Sequence, residues 1–374
     1  MSRLVRAVLG PIIMIVASAV ACTTDPTPSP APGALALPLD DEADLGPLGT
    51  ITPDGPCDLA SGFAGATCEQ HVVSCPGLDD ATVRLVIAEP SPLVAYRGTV
   101  LLGSGSRGVG LYEESALDLA TGDNPVVFHF DKLRARGLRL VERAWQGDAA
   151  ADRGWLRGVD GPDASACRHA TLVAWLADRY GDEGGALCAL GFSGGAMELA
   201  LSMSRWGTGD LLDLAIFESG PVARFDEACL VTPDYMDRCA DVATDHPWEC
   251  AAGAPPLCGL AGDIELLIDT AYGGVPMCSG AEPADAATLF GDSALSADAA
   301  DTFPSTRLFT VLGMRDCNSG AATGGADFAT RITGPGGAPP TVVDVPDAGH
   351  SLHAKSHGAR ELARIIQKSC KPVP

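Results

Sequence analysis

Residues 186–197, ALCALGFSGGAM, combine a strand, a sharp turn and the start of a helix. Residues 186–192 form a continuous apolar run without a helical stripe, and small and apolar residues at helical spacing follow from Ala196. The turn is Gly-x-Ser-x-Gly, with Ser193 at its apex. Glycines at 191 and 195 leave room where strand and helix nearly touch, so the pattern predicts a serine hydroxyl lifted clear of a sheet. The alternative is an incidental serine in a glycine-rich turn.

On either side of this segment, apolar strands alternate with amphipathic helices. The alternation is typical of βαβ units, in which helices join parallel strands and cover both faces of the sheet. The sequence therefore predicts an α/β fold with a mostly parallel central sheet flanked by helices. The predicted strands are 82–88, 98–103, 138–142, 211–217, 306–313 and 340–345, and the predicted helices are 125–136, 164–180 and 357–368, besides the strand and helix of the turn.

The composition is that of a folded, acidic protein. The chain has 374 residues, of which 46% are hydrophobic and 20% are charged, and this is enough to bury a sizeable core. Its formal net charge of −23 would repel both nucleic acid and anionic membrane surfaces. Neither is therefore an expected binding partner.

The N-terminal residues predict export. Two arginines precede an apolar stretch and small residues, as in a signal peptide over residues 1–21. The apolar part is too short to span a membrane stably. Cys22 follows where bacterial lipoproteins carry the lipidated cysteine, although Ala19 stands where such signals usually have leucine. We expect either an envelope lipoprotein or a secreted protein, with a Pro-, Ala- and Gly-rich linker over residues 22–56.

Cysteine usage also suits an exported protein. The chain has 13 cysteines, and setting Cys22 aside leaves an even number that could pair in an oxidising compartment. A zinc site is not indicated, because the sequence has neither a C-x-x-C pair nor a His-x-His cluster. Disulfides are therefore expected rather than metal. Cys188, inside its apolar strand, is either a disulfide partner or a buried thiol.

Residues 57–374 are expected to form the folded domain, with one interruption. From 221 to 304 the rhythm of strands and helices breaks, and prolines and cysteines become frequent. This segment is interpreted as a disulfide-rich insertion after the strand that follows the Gly-x-Ser-x-Gly turn. It is either a lid over the site or a passive surface excursion. Its cysteines are Cys229, Cys239, Cys250, Cys258 and Cys278.

Three polar residues each follow a predicted strand at its carboxyl end. They are Ser193, Asp316 and His350, and the carboxyl ends of parallel strands meet at one edge of a sheet. A serine hydroxyl needs a base to remove its proton as it attacks, and histidine has a suitable pKa. A carboxylate on the second ring nitrogen fixes the histidine tautomer. The sequence therefore predicts nucleophilic catalysis at this edge.

The chain order Ser, Asp, His, together with the Gly-x-Ser-x-Gly turn, resembles the α/β-hydrolase superfamily from about residue 82 to the C-terminus. The resemblance implies that Ser193 is the nucleophile, Asp316 the acid and His350 the base. It also implies that the N–H of Gly194 is the first oxyanion donor. Many lipases and esterases of this fold carry His-Gly where this chain has Gly-Ser-Gly, which leaves Ser104 and Gly105 as candidates for the second donor, with Gly105 favoured.

Other histidines and acids compete less well for these roles. His353 and His357 lie further into the final helical segment, and Asp347 is close enough to His350 to order its loop. Asp327 is expected to follow a glycine-rich loop rather than a strand. Cys317 is expected to form a disulfide that pins the loop of Asp316. Two aromatic residues near strand ends would either line a substrate pocket or pack at the rim of the core. These are Tyr112 and Trp145.

These features together predict a secreted or membrane-tethered serine hydrolase. It would cleave small-molecule or polymeric carboxylic esters through an acyl-enzyme, and it would require no cofactor and no metal. The same residues could instead serve a peptidase or an acyltransferase, because the sequence does not reveal the acceptor. A non-catalytic surface binding protein on the same fold is a further alternative. The sequence does not indicate an oligomeric state.

Overall fold

The computed structural model of this chain describes residues 47–117, 122–147, 153–246, 248–249, 262–317 and 320–373. The predicted signal peptide, residues 1–21, and the lipidation candidate Cys22 lie outside these ranges. The described residues form a nine-stranded sheet. Its strands are β1 (Thr50–Pro56), β2 (Thr67–Ser74), β3 (Ala81–Ala88), β4 (Gly98–Gly103), β5 (Leu138–Trp145), β6 (Ala186–Phe192), β7 (Leu214–Glu218), β8 (Arg307–Gly313) and β9 (Thr341–Val345).

Helices pack on both faces of the sheet, and alternate residues of the central strands enter two separate apolar cores. In β6, Cys188 and Leu190 lie in one core, and Leu187 and Ala189 lie in the other. Among the described residues, no helix has the length and apolarity needed to cross a membrane. The helices are α1 (Pro125–Arg134), α2 (Pro162–Ser165), α3 (Cys167–Gly181), α4 (Gly194–Trp206), α5 (Phe225–Leu230), α6 (Pro233–Asp245), α7 (Gly262–Ala271), α8 (Ala286–Gly291), α9 (Ala321–Ala329) and α10 (Ser356–Ser369).

The strand order places the loops of the site next to each other. The order is β1-β2-β3-β5-β4-β6-β7-β8-β9, with antiparallel pairing up to β5 and parallel pairing from there to β9. Gly103 at the end of β4 pairs with Gly191 near the end of β6. The predicted α/β fold with a mostly parallel central sheet is therefore confirmed.

The first strand corrects the predicted boundary of the linker. Residues 50–56, which composition places in the linker over 22–56, form β1 and pair with β2 at the edge of the sheet. This strand contains Pro53, Gly55 and Pro56, and most of its side chains are exposed. Proline is tolerated at an edge because an outward N–H has no partner strand to bond. A strand rich in turn residues therefore went unrecognised in the sequence.

Disulfides are present as expected, and they settle the alternatives for Cys188. This residue is bonded to Cys370, so β6 is linked to the C-terminal end of α10. Cys239 and Cys317 are also disulfide-bonded, and the prediction for Cys317 is confirmed. Cys250 and Cys258 lie outside the described residues. The other described pairs are Cys57–Cys68, Cys75–Cys167 and Cys229–Cys278.

The described part of the segment 221–304 contains α5, α6, α7 and α8 and no strand that joins the sheet. Its Cys229–Cys278 disulfide joins α5 to the chain that follows α7. It also contacts the body of the domain through two carboxyl groups. Asp292, after α8, is hydrogen-bonded to Asp163 of α2 and accepts a hydrogen bond from the Tyr272 hydroxyl at 2.5 Å. Burial, and then the charge of Asp163, raises the pKa of Asp292 to about 7.

This carboxyl pair should make stability depend on pH. The free energy of unfolding is expected to fall as pH rises from about 4 to about 7, because folded Asp292 retains a proton that the unfolded chain has lost. Asp292→Asn should flatten this dependence and stabilise the protein at pH 8 by roughly 1–2 kcal/mol, allowing for partial exposure. Urea denaturation at pH 4.5 and pH 8 measures both effects. Asp301→Asn, at an exposed carboxylate of the same segment, is the control, and an unchanged pH dependence in Asp292→Asn would contradict the prediction.

Candidate active site

The Gly-x-Ser-x-Gly turn adopts the strained geometry that its sequence predicts. β6 ends directly before Ser193 and α4 begins directly after it, and Ser193 has φ 51° and ψ −114°. Non-glycine residues rarely adopt this conformation. A Cβ atom at Gly191 would lie 2.2 Å from the carbonyl oxygen of Gly195, so strand and helix touch here as expected. The N–H of Ser193 donates to the carbonyl of Glu218 at 2.8 Å, which ties the turn to the end of β7.

The structure brings Ser193, His350 and Asp316 into one hydrogen-bonded row. Nε2 of His350 lies 2.9 Å from Oγ of Ser193, and Nδ1 of His350 lies 2.8 Å from Oδ2 of Asp316. An ionised carboxylate can only accept, so Nδ1 carries the proton and Nε2 is left to accept from the serine hydroxyl. The Asp316 side chain is 2% exposed and that of His350 is 33% exposed. The carboxylate of Asp316 is therefore shielded from solvent, whereas the imidazole of His350 is partly exposed.

The loop of Asp316 is held by backbone bonds to its own strand and to the loop of His350. The N–H of Asp316 donates to the carbonyl of Gly313 at 3.0 Å, and the N–H of Arg315 donates to the carbonyl of Ala348 at 2.7 Å. Arg315 also forms an ion pair with Asp347. Asp347 therefore orders the loop between β9 and His350 and is not in the row with Ser193.

The competing histidines have other partners. His353 is buried, with Nδ1 2.5 Å from Oε1 of Glu218 and Nε2 2.7 Å from Oγ of Ser115. His357 bonds the carbonyl of Pro346. The remaining described contacts are His71 with Glu69, His129 with Ser356, His169 with Ser202 and His246 with Asp344.

Asp327 lies in a helix rather than after a loop. The glycine-rich stretch before it forms α9, and Asp327 forms ion pairs there with Arg331 and Arg238. A Cβ atom at Gly325 would lie 2.3 Å from the carbonyl oxygen of Gly220. These glycines therefore allow α9 to approach the chain that follows β7. Asp327 forms its ion pairs within this packing and is not in the row with Ser193 and His350.

The candidate oxyanion donors lie on two segments that touch. Gly194 is the first residue of α4, where the N–H has no acceptor within the helix. A Cβ atom at Gly194 would lie 2.0 Å from the carbonyl oxygen of Ser106, so the loop after β4 packs directly on the turn. A Cβ atom at Gly105 would lie 3.4 Å from Cβ of Ser193. The hydroxyl of Ser104 donates to the carbonyl of Gly110 at 2.5 Å and so stabilises this loop.

Two aromatic residues, which the sequence predicted either in a substrate pocket or at the rim of the core, are buried core residues. Tyr112 donates to Oε2 of Glu218 at 2.5 Å, and Nε1 of Trp145 donates to Oε1 of Glu198 at 2.7 Å. The hypothesis that places these two residues in a substrate pocket is therefore wrong. Both acceptors are buried glutamates that the sequence analysis missed. Glu218 carries a signal that could have identified it, because it ends β7 at the same edge as the turn.

Comparisons with known proteins find similarity to solved structures of low sequence identity. No family model matches the sequence, and no curated protein matches it. A soluble variant of monoglyceride lipase from Saccharomyces cerevisiae is 12% identical, with a TM-score of 0.46 over 78% of this chain and 92% of that one. A carboxyl esterase from Bacillus coagulans is 13% identical, with a TM-score of 0.44 over 85% and 97%. An esterase from Thermogutta terrifontis is 15% identical, with a TM-score of 0.42 over 80% and 97%.

Proposed function

We propose that this protein is a serine hydrolase that cleaves carboxylic esters through an acyl-enzyme. The main support is the row Ser193–His350–Asp316, with contacts of 2.9 and 2.8 Å, built on a serine at φ 51°. A nucleophile that contacts a base, which in turn contacts a buried acid, is the arrangement that activates a hydroxyl at neutral pH. A passive turn serine would need neither the strained backbone nor the aligned histidine.

In the proposed reaction, Oγ of Ser193 attacks the ester carbonyl carbon while Nε2 of His350 takes the hydroxyl proton. The oxyanion that forms accepts hydrogen bonds from the N–H of Gly194 and, in our assignment, of Gly105. His350 then gives the proton to the leaving alcohol, and the acyl group remains on Ser193. The same histidine then deprotonates a water molecule, which attacks the acyl carbon, and returns the proton to Oγ of Ser193 as the acid leaves. Asp316 fixes the tautomer of His350 and stabilises its charged form throughout.

We further propose that the protein acts outside the cytoplasm on small or polymeric esters. The disulfides of the described domain support an oxidising compartment. The signal sequence over residues 1–21 and Cys22 would supply export and a lipid anchor. Mass spectrometry of the mature protein tests the anchor, since an unlipidated N-terminus would leave simple secretion. The net charge of −23 remains the reason to expect no nucleic-acid partner.

A fluorophosphonate probe should label Ser193 in the folded protein. The reaction requires an activated serine, so the labelled peptide, identified by mass spectrometry, should contain residue 193. Ser204→Ala, which removes another serine of α4, serves as the control and should label like the wild type. An unlabelled wild-type protein would favour the non-catalytic binding protein. Comparing a p-nitrophenyl ester with a p-nitroanilide, with and without added alcohol, separates the esterase from the peptidase and the acyltransferase.

A further inference from the structure

A second buried hydrogen-bonded row lies behind Ser193. It consists of Tyr112, Glu218, His353 and Ser115, and we refer to it as the Glu218 network. The Tyr112 hydroxyl donates to Oε2 of Glu218 at 2.5 Å, and Nδ1 of His353 lies 2.5 Å from Oε1. Nε2 of His353 lies 2.7 Å from Oγ of Ser115. The side chains of Glu218 and His353 are fully buried, so this carboxylate would be costly without these partners.

The Glu218 network reaches both the nucleophile and the base of the proposed site. The backbone carbonyl of Glu218 accepts the N–H of Ser193 at 2.8 Å. Its carboxylate accepts the N–H of His353 at 3.2 Å, and the hydroxyl of the next residue, Ser219, donates to the carbonyl of His350 at 2.8 Å. Residues 218 and 219 therefore hold both ends of the segment 350–353, and the same strand end holds the serine.

Aromatic contacts also link His353 and His350 to the residue before Ser193. The ring of Phe192, which precedes the nucleophile, lies 5.1 Å from the ring of His350 and 4.6 Å from the ring of His353. A displacement of His353 would therefore shift Phe192, which is next to Ser193, as well as the backbone of His350. The two imidazoles are not independent in this packing.

Ser115, His353 and Glu218 have the connectivity of a second Ser-His-acid group, but their surroundings do not suit a nucleophile. The hydroxyl of Ser115 donates to the carbonyl of Tyr112 at 2.8 Å, so its proton is not directed at His353. Its neighbours Glu113 and Glu114 are acidic and would oppose an oxyanion. The geometry therefore favours a supporting role for this group.

We propose that Glu218 is a positioning residue for His350, and this inference rests on the proposed function. Its carboxylate fixes His353, and with Ser219 it sets the place of the His350 backbone relative to Ser193. The base must stay within hydrogen-bond reach of the serine hydroxyl during proton transfer. A misplacement of about 1 Å can cost on the order of 10²-fold in rate. Glu218 acts through other residues and does not touch the substrate.

The test compares two variants, one that changes the carboxylate of Glu218 and one that removes the hydrogen bond to its oxygen Oε2. Glu218→Gln keeps the size of the side chain but removes its charge, and it should lower kcat about 10- to 100-fold, with KM within about twofold. Tyr112→Phe removes the bond to the other oxygen and leaves the contacts to His353 intact, so its kcat should stay within about threefold. Both values are measured per active site titrated with the phosphonate probe, which removes any effect of unfolded protein.

Each outcome of this comparison bears on the proposal. Equal losses in Glu218→Gln and Tyr112→Phe, or a wild-type kcat in Glu218→Gln, would overturn it. If Glu218→Gln does not fold, Ser219→Ala removes only the bond to the His350 carbonyl and should also lower kcat without changing KM. Probe label on Ser115 in a Ser193→Ala background would replace the positioning role with a second nucleophile. A wild-type protein without turnover or label would instead reject the proposed function itself.

Discussion

Replacement of Ser193 by alanine should lower kcat for a chromogenic ester such as p-nitrophenyl butyrate by about 10⁴- to 10⁶-fold. The variant loses the attacking oxygen, whereas the oxyanion donors and the binding surface remain. KM should therefore change little, since these groups still bind the ground state. Steady-state kinetics with pure protein, together with a thermal melt to show that the variant is folded, measure the effect.

Variants of other residues provide a control and further tests of this prediction. Ser204 lies in the same helix, and its hydroxyl donates to the carbonyl of Ala200, so the control Ser204→Ala should keep full activity. His350→Ala and Asp316→Asn should each lose about as much as Ser193→Ala or somewhat less, and double variants should lose little more than single ones. Additive losses would indicate that the three groups do not act as one unit. Unchanged turnover in Ser193→Ala would refute the proposed nucleophile.

The part of the fold around the turn could be predicted because its local and global signals agree. The run 186–192 is apolar on both faces, as a central parallel strand must be, and Ser193 is flanked by glycines where the backbone leaves no room for a side chain. The post-strand positions of Asp316 and His350 were visible for the same reason. Once the strand ends are known, the carboxyl edge of the sheet gathers the residues that follow them.

The element that was missed, α9, and the strand that was predicted too short, β5, have sequences whose local signals oppose the structure. α9 reads AATGGADFA, and its two glycines are poor helix formers, but they are needed where the helix approaches the chain after β7. β5 was expected to end at residue 142, but it continues to Trp145 because Arg143 is buried rather than exposed. Tertiary partners that lie far away in the chain decide both cases.

The supporting polar residues were missed for a related reason. Glu218 and Glu198 look like ordinary charged positions in a chain with 48 acidic residues. Their importance comes from complete burial next to specific partners, which sequence spacing alone does not show. For Glu198 the available signal is a charged residue inside an otherwise apolar run, AMELALSM over residues 196–203. Such a residue is costly to bury alone and therefore indicates a partner elsewhere.

The ion pair between Arg143 of β5 and Glu198 of α4 is the clearest such case. Both side chains are fully buried, and Glu198 also accepts from Nε1 of Trp145 at 2.7 Å. Nη1 of Arg143 donates to the carbonyl of Gly108 at 3.3 Å, at the end of the loop that packs on the Gly-x-Ser-x-Gly turn. The pair therefore joins the sheet, the helix after Ser193 and the loop that carries Gly105.

Removing one partner should destabilise the protein strongly. Arg143→Met is expected to lower the free energy of unfolding by about 3–5 kcal/mol, because it leaves Glu198 buried without its ion-pair partner. The double variant Arg143→Met/Glu198→Gln should recover part of this loss, since the neutral amide leaves no buried charge and its oxygen still accepts from Nε1 of Trp145. Urea denaturation with the disulfides intact compares the three proteins. A double variant as unstable as the single one would show that packing, rather than charge, explains the loss.

The same variant should show a pH dependence with a defined sign. Burial already raises the pKa of Glu198 to about 7 in the wild-type protein, with Arg143 opposing the rise. Without Arg143 the pKa of Glu198 should rise further, so the folded variant keeps its proton where the folded wild type has lost it. The stability deficit of Arg143→Met should therefore grow as pH rises through 7 and be larger at pH 8.5 than at pH 6. The double variant lacks this carboxyl group, so its difference from wild type in free energy of unfolding should not grow with pH. If the stability deficit of Arg143→Met is equal at pH 6 and pH 8.5, Glu198 does not titrate in this range.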